Sequence, residues 1–332
     1  MNTSTALVTG AAGFLGRRVV RALCNAGYCV RAAVHRDDDR RLYDTTQGIE
    51  ATTLDVLDRK NTLAAMSGID VVYHLAALLD THGGRARMYE VNVEGTRNVW
   101  ECAAASGVKK ALYCSTTAVY GLLSRSERII TEDVPARAIE PYGNTKLLAE
   151  RAALGIAART GLHTTIVRPV AIFGPGEHTP FGRKLRHAAI SKLLIAGGFQ
   201  NKRFSFVHVE DVANAAVHLM SVDCPSGEIF NIAVNDPIGF EDAFSAYVRV
   251  LRQAGKSYAK VRLFAGISTL LHENPAFLHR LWGVLGDRFM FKIWRPGFDL
   301  LYSSSKLLGT SFRFMWDDFE KVFESCVEKD SA

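Results

Sequence analysis

Several features that would assign this chain of 332 residues to other protein classes are missing from its sequence. Its six cysteines include no Cys-x-x-Cys pair, which argues against a disulfide framework and favours reduced thiols. The sequence has no uncharged apolar run of about 18 residues and no basic-then-apolar leader, so neither membrane spanning nor secretion is indicated. We therefore expect a cytoplasmic protein.

Signatures of nucleic-acid binding, metal binding and hydrolysis are missing as well. The net charge of +6 is dispersed without a long Lys/Arg block, so we expect no nucleic-acid partner. The histidines His178, His187 and His208 lack paired ligand spacing, and no Gly-x-Ser-x-Gly elbow occurs, so we expect neither a metal site nor a hydrolase. Without repeats or a visible linker, the chain predicts one large α/β domain or two joined ones.

A glycine-rich turn near the N-terminus is the most informative feature that is present. The apolar run Ala6 to Val8 precedes Thr9 to Gly16, and a helical pattern from Arg17 to Ala26 follows. Glycines at this spacing let the chain bend, approach a pyrophosphate and pack helix on strand, and the helix N-terminus favours the anion. We therefore predict a dinucleotide here, in contact with Gly10, Gly13, Phe14, Leu15 and Gly16.

The end of the next apolar run, Tyr28 to Val34, bears on the choice of dinucleotide. An acid that would hydrogen-bond the adenosine ribose is missing; Val34 occupies its position, and His35 and Arg36 follow. Because a guanidinium pairs well with a phosphate, we favour NADP(H) over NAD(H) and assign His35 and Arg36 to the cofactor. The alternative is a solvated basic loop in which Asp37 to Asp39 neutralise Arg36.

Apolar runs alternate with helical patterns along the first half of the chain. The further runs are Glu50 to Leu54, Val71 to Leu75, Lys110 to Cys114 and Thr164 to Arg168, and the helical patterns are Arg59 to Met66, Met88 to Ser106 and Tyr142 to Thr160. This alternation predicts an α/β fold with a Rossmann-type, doubly wound parallel sheet. Ligands of such sheets bind at loops that follow the strands. From these loops and the next helix we assign six residues to the cofactor: Asp55, Val56, Leu75, Ala76, Ala77 and Asn92. A plain cap or loop residue is the alternative for Asp55, and a polar helix residue for Asn92.

A tyrosine and a lysine, Tyr142 and Lys146, share one face of the last of these helices. We predict that the ammonium lowers the pKa of the Tyr142 hydroxyl, so that it transfers a proton near neutral pH. Hydroxyl residues follow the preceding strand, and we choose Thr116 among them to polarise the substrate oxygen. An exposed helix pair is the alternative for Tyr142 and Lys146.

Taken in order, these motifs resemble the extended short-chain dehydrogenase/reductase family, within the NAD-dependent epimerase/dehydratase superfamily. Further similar segments are Val167 to Gly176, Phe206 to Ala213 and Ser305 to Gly309. The resemblance implies that Tyr142 donates or takes the hydroxyl proton, that Lys146 holds the nicotinamide ribose, and that Thr116 hydrogen-bonds the reacting oxygen. It also implies four further cofactor contacts: Ser115, Pro169, Val170 and Ile172.

The same resemblance implies a domain division and an assembly. We expect residues 1–168, with a return segment at about 203–236, to bind the dinucleotide, and residues 169–202 and 237–332 mainly to bind the substrate. We expect a homodimer formed through Met88 to Ser106 and Tyr142 to Thr160.

Departures from the family's patterns narrow the reaction. Thr117 and Ala118 stand where dehydratases have acids, and Ala171 and Phe204 stand where nucleotide-sugar epimerases often have asparagine and arginine. We therefore expect an oxidoreductase that interconverts a ketone and a secondary alcohol on an apolar or medium-sized small molecule. Its pattern is closest to dihydroflavonol-reductase-like and 3β-hydroxysteroid-dehydrogenase-like members.

Two alternatives stay open. One is a nucleotide-sugar 4-epimerase with Arg183, Lys184 or Arg203 as phosphate contacts, and the other is a non-catalytic NADP-binding redox sensor. The apolar stretch Phe264 to Phe298 has three alternative roles: it covers a hydrophobic substrate, it contacts a membrane surface, or it completes the core of the smaller domain. Core packing is the favoured role, and peripheral membrane contact is the least favoured.

Overall fold

The computed structural model describes residues 4–44, 46–79, 84–121, 129–176, 193–197, 203–253, 259–263 and 301–328. The stretch Phe264 to Phe298 lies outside the described residues. So do His178, Arg183, Lys184 and His187, which the sequence analysis weighed as ligands or phosphate contacts.

A seven-stranded sheet in the order β11-β6-β5-β4-β1-β2-β3 forms the centre of the fold. All its neighbouring strands are parallel, because helices carry the chain back between them. The α/β, Rossmann-like sheet predicted from the alternation is therefore confirmed. The strands of this sheet are β1 (Thr5–Thr9), β2 (Cys29–Val34), β3 (Ile49–Thr53), β4 (Val71–His74), β5 (Lys110–Cys114), β6 (His163–Pro169) and β11 (Ile229–Ile232).

The helices around this sheet pack in two groups. Helix α1 contacts α6, whereas α4 contacts α2 and α5. Trp100 and Leu7 are fully buried in the core between strands and helices. The helices of this part are α1 (Phe14–Asn25), α2 (Arg59–Ala65), α3 (Gly84–Tyr89), α4 (Gly95–Ala105), α5 (Pro141–Thr160), α6 (Val209–Ser221) and α8 (Ser305–Gly309).

The helix predicted over Met88 to Ser106 is present but is not regular. A π-helical turn, Glu90–Glu94, lies between α3 and α4. The Thr96 hydroxyl donates to the Asn92 carbonyl at 2.7 Å, and such a side-chain donor within the helical ladder is a known cause of local irregularity. The irregular turn contains Asn92, one of the predicted cofactor residues.

The chain divides into two compact units. The first comprises Met1–Val170, Val209–Ala233 and Ser303–Phe314, and the second comprises Ala171–His208, Val234–Tyr302 and Met315–Ala332. Residues 303–314 thus pack with the first unit, although they were expected in the substrate-binding part. The assignment of the dinucleotide to one part and the substrate to the other stays a prediction.

In the part of the second unit that the structure describes, there are three short strand pairs and two helices that pack together. Bidentate contacts between Arg249 and Glu320, at 2.9 and 2.7 Å, join the helices α7 and α9. Phe319 lies against an aromatic cluster with Phe173, Phe204 and Phe206. The elements of this unit are β7 (Ala171–Phe173), β8 (Leu193–Gly197), β9 (Arg203–Phe204), β10 (Phe206–His208), β12 (Ile238–Gly239), α7 (Phe240–Gln253), β13 (Ala259–Leu263) and α9 (Phe319–Glu328).

Candidate active site

The glycine-rich turn joins β1 to α1 with very little space around its backbone. Gly10 has a φ of +69°, and a Cβ atom on it would lie 2.8 Å from the Ala76 nitrogen. A Cβ on Gly16 would lie 2.1 Å from the Gly10 carbonyl oxygen, so the helix rests directly on the turn. Only glycine fits at Gly10 and Gly16, as the sequence pattern predicted.

This turn fits the pyrophosphate of a dinucleotide. Helix α1 begins at Phe14, and its N-cap residue is Gly13, which has no side chain to accept a hydrogen bond from the first turn. The N–H groups of that turn can therefore donate to a bound anion. At the end of β5, the Ser115 hydroxyl is buried and has no hydrogen-bond partner among the described residues. Because a buried hydroxyl without a partner is costly, a polar ligand at Ser115 would satisfy it.

The loop after β4 lies beside the glycine turn. Thr9 Oγ1 accepts hydrogen bonds from the Leu75 and Ala76 N–H groups, each at 3.3 Å, so β1 holds this loop. Asp55 Oδ1 accepts from the Leu57 N–H at 3.0 Å, and Val56 packs against Gly95. The roles of Asp55, Val56 and the Leu75–Ala77 loop toward a cofactor stay predictions.

The basic pair after β2 is exposed. Asp37 and Asp38 lie within 3.9 and 3.8 Å of Arg40 and Arg41, respectively. Arg36 makes no ion pair with any residue that the structure describes. Two of the three aspartates that would neutralise Arg36 in the alternative interpretation, Asp37 and Asp38, therefore pair with other arginines.

Helix α5 contains the predicted catalytic pair in its first two turns. Pro141 begins the helix, and Tyr142 is half-buried just inside it. Lys146 is buried, and its Nζ donates to the Cys114 carbonyl oxygen at 2.6 Å and lies 4.2 Å from the Tyr113 ring centre. Burial lowers the pKa of the Lys146 ammonium to about 8.

The expectation for the pKa of Tyr142 was wrong in this structure. Burial raises the pKa of the Tyr142 hydroxyl well above its usual range, and the Cys114 thiol adds to the shift. The Lys146 ammonium is turned toward the Cys114 carbonyl and the Tyr113 ring instead. At neutral pH Tyr142 is therefore protonated, which suits it to donate a proton.

Thr116 lies at the start of a short 3₁₀ turn, Thr117–Tyr120, after β5. Its Oγ1 accepts from the Ala118 N–H at 3.2 Å and caps the turn. This turn abuts the catalytic helix, since a Cβ on Gly143 would lie 2.6 Å from the Ala118 carbonyl oxygen. The fold thus brings the Thr116 turn against the residue that follows Tyr142.

The remaining predicted cofactor residues lie in the irregular helical turn before α4 and in the segment from the end of β6 to β7. The Asn92 side chain is buried and already bonded: it accepts from the Leu78 N–H at 2.7 Å and donates to Thr145 Oγ1 at 2.9 Å. Pro169 ends β6, and Val170 N–H donates to the Ile232 carbonyl at 3.1 Å. Ile172 lies in β7 of the second unit. Their cofactor contacts stay predictions.

The sequence analysis missed a buried ion pair and a buried histidine at or near the catalytic helix. Arg168 forms a bidentate pair with Glu150, at 2.9 and 2.7 Å, beneath α5. His74 is fully buried between Thr9 and Thr96. Charged or polar residues within otherwise apolar strands were the available signal, because such residues are buried only when they are paired.

A model of the NAD dependent epimerase/dehydratase family matches residues 6–233. The chain belongs to this family. The matched residues include the glycine turn, Thr116, Tyr142 and Lys146.

Two curated proteins are similar to this chain over most of its length. The 3β-hydroxysteroid dehydrogenase/Δ5→4-isomerase of Mycobacterium tuberculosis is 30% identical over 273 residues, which cover 77% of this chain and 71% of that protein. Sterol demethylase protein B of Methylococcus capsulatus is 34% identical over 225 residues, which cover 66% of each chain.

A solved structure is similar in fold over nearly all of this chain. UDP-glucuronic acid 4-epimerase from Bacillus cereus, in complex with NAD, has a TM-score of 0.77 at 20% identity and covers 98% of this chain and 97% of its own. The predictions of the extended short-chain dehydrogenase/reductase family and of a nicotinamide-dependent enzyme of the dehydrogenase class are therefore confirmed.

Neither a membrane span nor a metal centre emerges from the part of the chain that the structure describes. None of its helices combines the length and apolar character needed to cross a bilayer. No three histidine, cysteine, aspartate or glutamate side chains there are grouped closely enough to hold a metal ion.

Proposed function

We propose that this protein interconverts a ketone and a secondary alcohol on an apolar small molecule of the hydroxysteroid or sterol type. The observation that carries the proposal is the arrangement at α5: a protonated Tyr142, a buried Lys146 and the Thr116 turn packed on Gly143. The sequence relatives named above are a hydroxysteroid dehydrogenase and a sterol demethylase protein, which supports this substrate class.

The residues divide the work of carbonyl reduction among themselves. A bound nicotinamide cofactor would supply or accept the hydride. Tyr142 donates its proton to the developing alkoxide, and the Thr116 hydroxyl donates a hydrogen bond to the same oxygen. Lys146 would hold the nicotinamide ribose, while the glycine turn and Ser115 would hold the rest of the dinucleotide.

An apolar substrate is favoured over a nucleotide sugar by Phe204. This residue stands where epimerases often have a phosphate-binding arginine, and its side chain is buried against Phe319, with ring centres 5.7 Å apart. A buried aromatic ring cannot contact a diphosphate. The likeness to the Bacillus cereus epimerase, at 20% identity, concerns the fold alone.

We further propose NADP(H) as the preferred cofactor, because the exposed Arg36 is available for a 2′-phosphate. The Arg36→Ala variant should raise the KM for NADPH about tenfold and leave that for NADH unchanged, since one charge-assisted contact is worth about 1.5 kcal/mol or more. Arg41→Ala, which removes an exposed arginine paired with Asp38, is the matched control. An equal effect of Arg36→Ala on both cofactors would contradict the preference.

The assay that tests the function is spectrophotometric. The protein is incubated with NADP⁺ or NAD⁺ and a panel of 3β-hydroxysteroids, and with NADPH or NADH and steroid, flavonoid-like and β-keto carbonyl compounds. Formation or loss of reduced cofactor with one class supports the proposal. UDP-glucose and UDP-glucuronic acid are incubated in parallel, and an isomerised sugar without net cofactor change would establish the epimerase instead.

The proposal also includes an oligomeric state and a cellular location. We propose a homodimer through Met88 to Ser106 and Tyr142 to Thr160, as the resemblance implied, and a cytoplasmic location, as the sequence led us to expect. The redox-sensor alternative is disfavoured because Tyr142 and Lys146 are both present, and it would regain support from tight cofactor binding without turnover of any panel member.

A further inference from the structure

A line of buried hydrogen bonds begins below the glycine turn. The Leu75 and Ala76 N–H groups donate to Thr9 Oγ1, each at 3.3 Å. Thr9 Oγ1 lies 2.7 Å from His74 Nδ1. Since the Thr9 oxygen already accepts from backbone donors, its own proton points at His74 Nδ1, which must then be the acceptor nitrogen.

The other side of the His74 ring fixes the same tautomer independently. The Thr96 hydroxyl donates its single proton to the Asn92 carbonyl oxygen at 2.7 Å. Thr96 Oγ1 must therefore accept from His74 Nε2, which lies 3.0 Å away. Both contacts agree on a neutral imidazole with its hydrogen on Nε2.

The line continues from Asn92 to the catalytic helix. Asn92 Nδ2 donates to Thr145 Oγ1 at 2.9 Å, and the Thr145 hydroxyl donates to the Tyr142 carbonyl oxygen at 2.8 Å. The side chains of Thr9, His74, Asn92, Thr96 and Thr145 are all at least nine-tenths buried, so water does not replace these bonds freely.

The surroundings of His74 keep it uncharged. Its ring stacks on Tyr113, with centres 5.7 Å apart and 29° between the planes, and the Lys146 ammonium lies 4.2 Å from the centre of that same Tyr113 ring. Burial, followed by the Lys146 charge, lowers the pKa of His74 to about 3. A charged imidazole would also make Nδ1 a donor toward Thr9 Oγ1, and the Thr9 hydroxyl would then have to turn its own proton away.

We infer that His74 is a positioning residue that, as the neutral Nε2–H tautomer, ties the loop of Leu75 and Ala76 to the backbone of Tyr142. This inference rests on the proposed function, because it gives His74 the role of positioning both the Leu75–Ala76 loop, which contacts the cofactor in that proposal, and the proton donor Tyr142. Loss of the hydrogen bond to Thr9 loosens the loop of Leu75 and Ala76. Loss of the hydrogen bond to Thr96 loosens the backbone of the catalytic helix at Tyr142.

Three variants at His74 separate the two ends of the line. His74→Phe keeps the ring and removes both bonds, so the Kd for NADPH should rise about tenfold or more and kcat should fall. His74→Asn places an acceptor near the position of Nδ1 and should recover most of the cofactor affinity. His74→Gln places a donor near Nε2 and should recover more of kcat than of affinity.

Tyr73→Phe is the matched control, because it alters a buried ring of the same strand whose hydroxyl has no hydrogen-bond partner among the described residues. It should change neither Kd nor kcat. Thermal unfolding of each variant separates a loss of positioning from a loss of folding. If His74→Phe folds and matches Tyr73→Phe in both constants, the inference is overturned.

The tautomer is tested on the unaltered protein. Nitrogen-15 NMR of histidine-labelled wild type should show one ring with a proton on Nε2 and none on Nδ1, unchanged from pH 5 to 8. A proton on Nδ1, or titration of this ring in that range, would overturn the inference. These readouts need no turnover, so failure of every substrate in the panel would reject the proposed function and leave the assignment of His74 to be judged separately.

Discussion

At the scale of single residues, the decisive groups owe their properties to burial more than to their neighbours in sequence. Tyr142 and Lys146 share a helix face, as their spacing predicted, but burial sets the pKa of each in opposite directions. The tyrosine is thereby kept as an acid and the lysine is brought close to losing its proton. No sequence pattern contains the depth at which a side chain lies, so the direction of the Tyr142 shift was not predictable.

Removal of the Tyr142 hydroxyl tests its role as proton donor. The Tyr142→Phe variant should lose about 10²- to 10⁴-fold in kcat, because general acid catalysis contributes that much, while the Kd for NADPH stays within about twofold. Steady-state kinetics and fluorescence titration of the cofactor measure both quantities. Turnover that survives the change would show that another group transfers the proton.

The closeness of Gly143 to the Thr116 turn gives a second prediction at this scale. The Gly143→Ala variant must push away the Ala118 carbonyl, so kcat should fall about tenfold or more with little change in cofactor affinity. Gly155→Ala on the same helix is the control, since the nearest atom to its Cβ is Arg159 Nη1 at 3.9 Å. Both changes raise helix propensity by about 1 kcal/mol, so a kcat loss shared by both would contradict the account.

At the scale of elements, the buried pair of Glu150 and Arg168 joins α5 to β6. Both side chains are almost completely buried, and the Arg168 guanidinium also lies 4.8 Å from the Tyr120 ring centre. Breaking such a pair leaves an uncompensated charge, which is far more costly than replacing both partners.

The energetic prediction follows from that asymmetry. Arg168→Met alone should lower the free energy of unfolding by about 3–5 kcal/mol, and the double change Glu150→Met with Arg168→Met should recover most of the loss. Arg97→Met, which removes an exposed pair with Glu94, should cost less than about 1 kcal/mol. Urea denaturation measures all three, and a single change at Arg168 as mild as that at Arg97 would refute the role given to the pair.

The elements themselves were predictable to different degrees. Six of the seven strands of the main sheet were predicted, because parallel strands buried on both faces appear as short, nearly continuous apolar runs, such as Lys110–Cys114. The seventh strand, β11 (Ile229–Ile232), was not predicted. The irregular turn at Glu90–Glu94 was not found, since its cause is a side-chain bond from Thr96. Two-residue strands such as Arg203–Phe204 are too short to leave a periodic pattern.

At the scale of the whole molecule, His74 makes stability depend on pH. Its pKa is about 3 when folded and 6.5 ordinarily, so between these values the unfolded chain binds one more proton than the folded one. The contribution of neutral His74 to stability is therefore fully present above pH 6.5 and is lost as the pH falls toward 3. At about 1.4 kcal/mol per pKa unit, the full loss is about 5 kcal/mol.

A comparison with His74→Asn isolates this contribution. Between pH 6.5 and 4.5, the unfolding free energy of the wild type should fall more steeply than that of the variant, by about 1.4 kcal/mol per pH unit. Denaturant titrations at several pH values give both slopes. Equal slopes would mean that His74 is protonated in the folded protein.

The parts of the candidate site that were predictable are those whose sequence carries a local motif. The glycine turn, the helix of Tyr142 and Lys146, and the hydroxyl run at Ser115 and Thr116 each have a local signature. The bonds that join them do not, because partners such as Thr9 and His74 are 65 residues apart in the chain. The order of pairing along the sheet brings such residues together, and no single segment records it.

The measurement that tests the central claim most directly follows the hydride itself. The panel alcohol with the highest turnover is deuterated at its carbinol carbon and incubated with NADP⁺, alongside UDP-glucose deuterated at carbon 4. We predict one equivalent of deuterated, released NADPH for each ketone formed, and no change in the sugar. Deuterium that returns to the organic product, or an epimerised sugar without released reduced cofactor, would contradict the assignment as a net oxidoreductase.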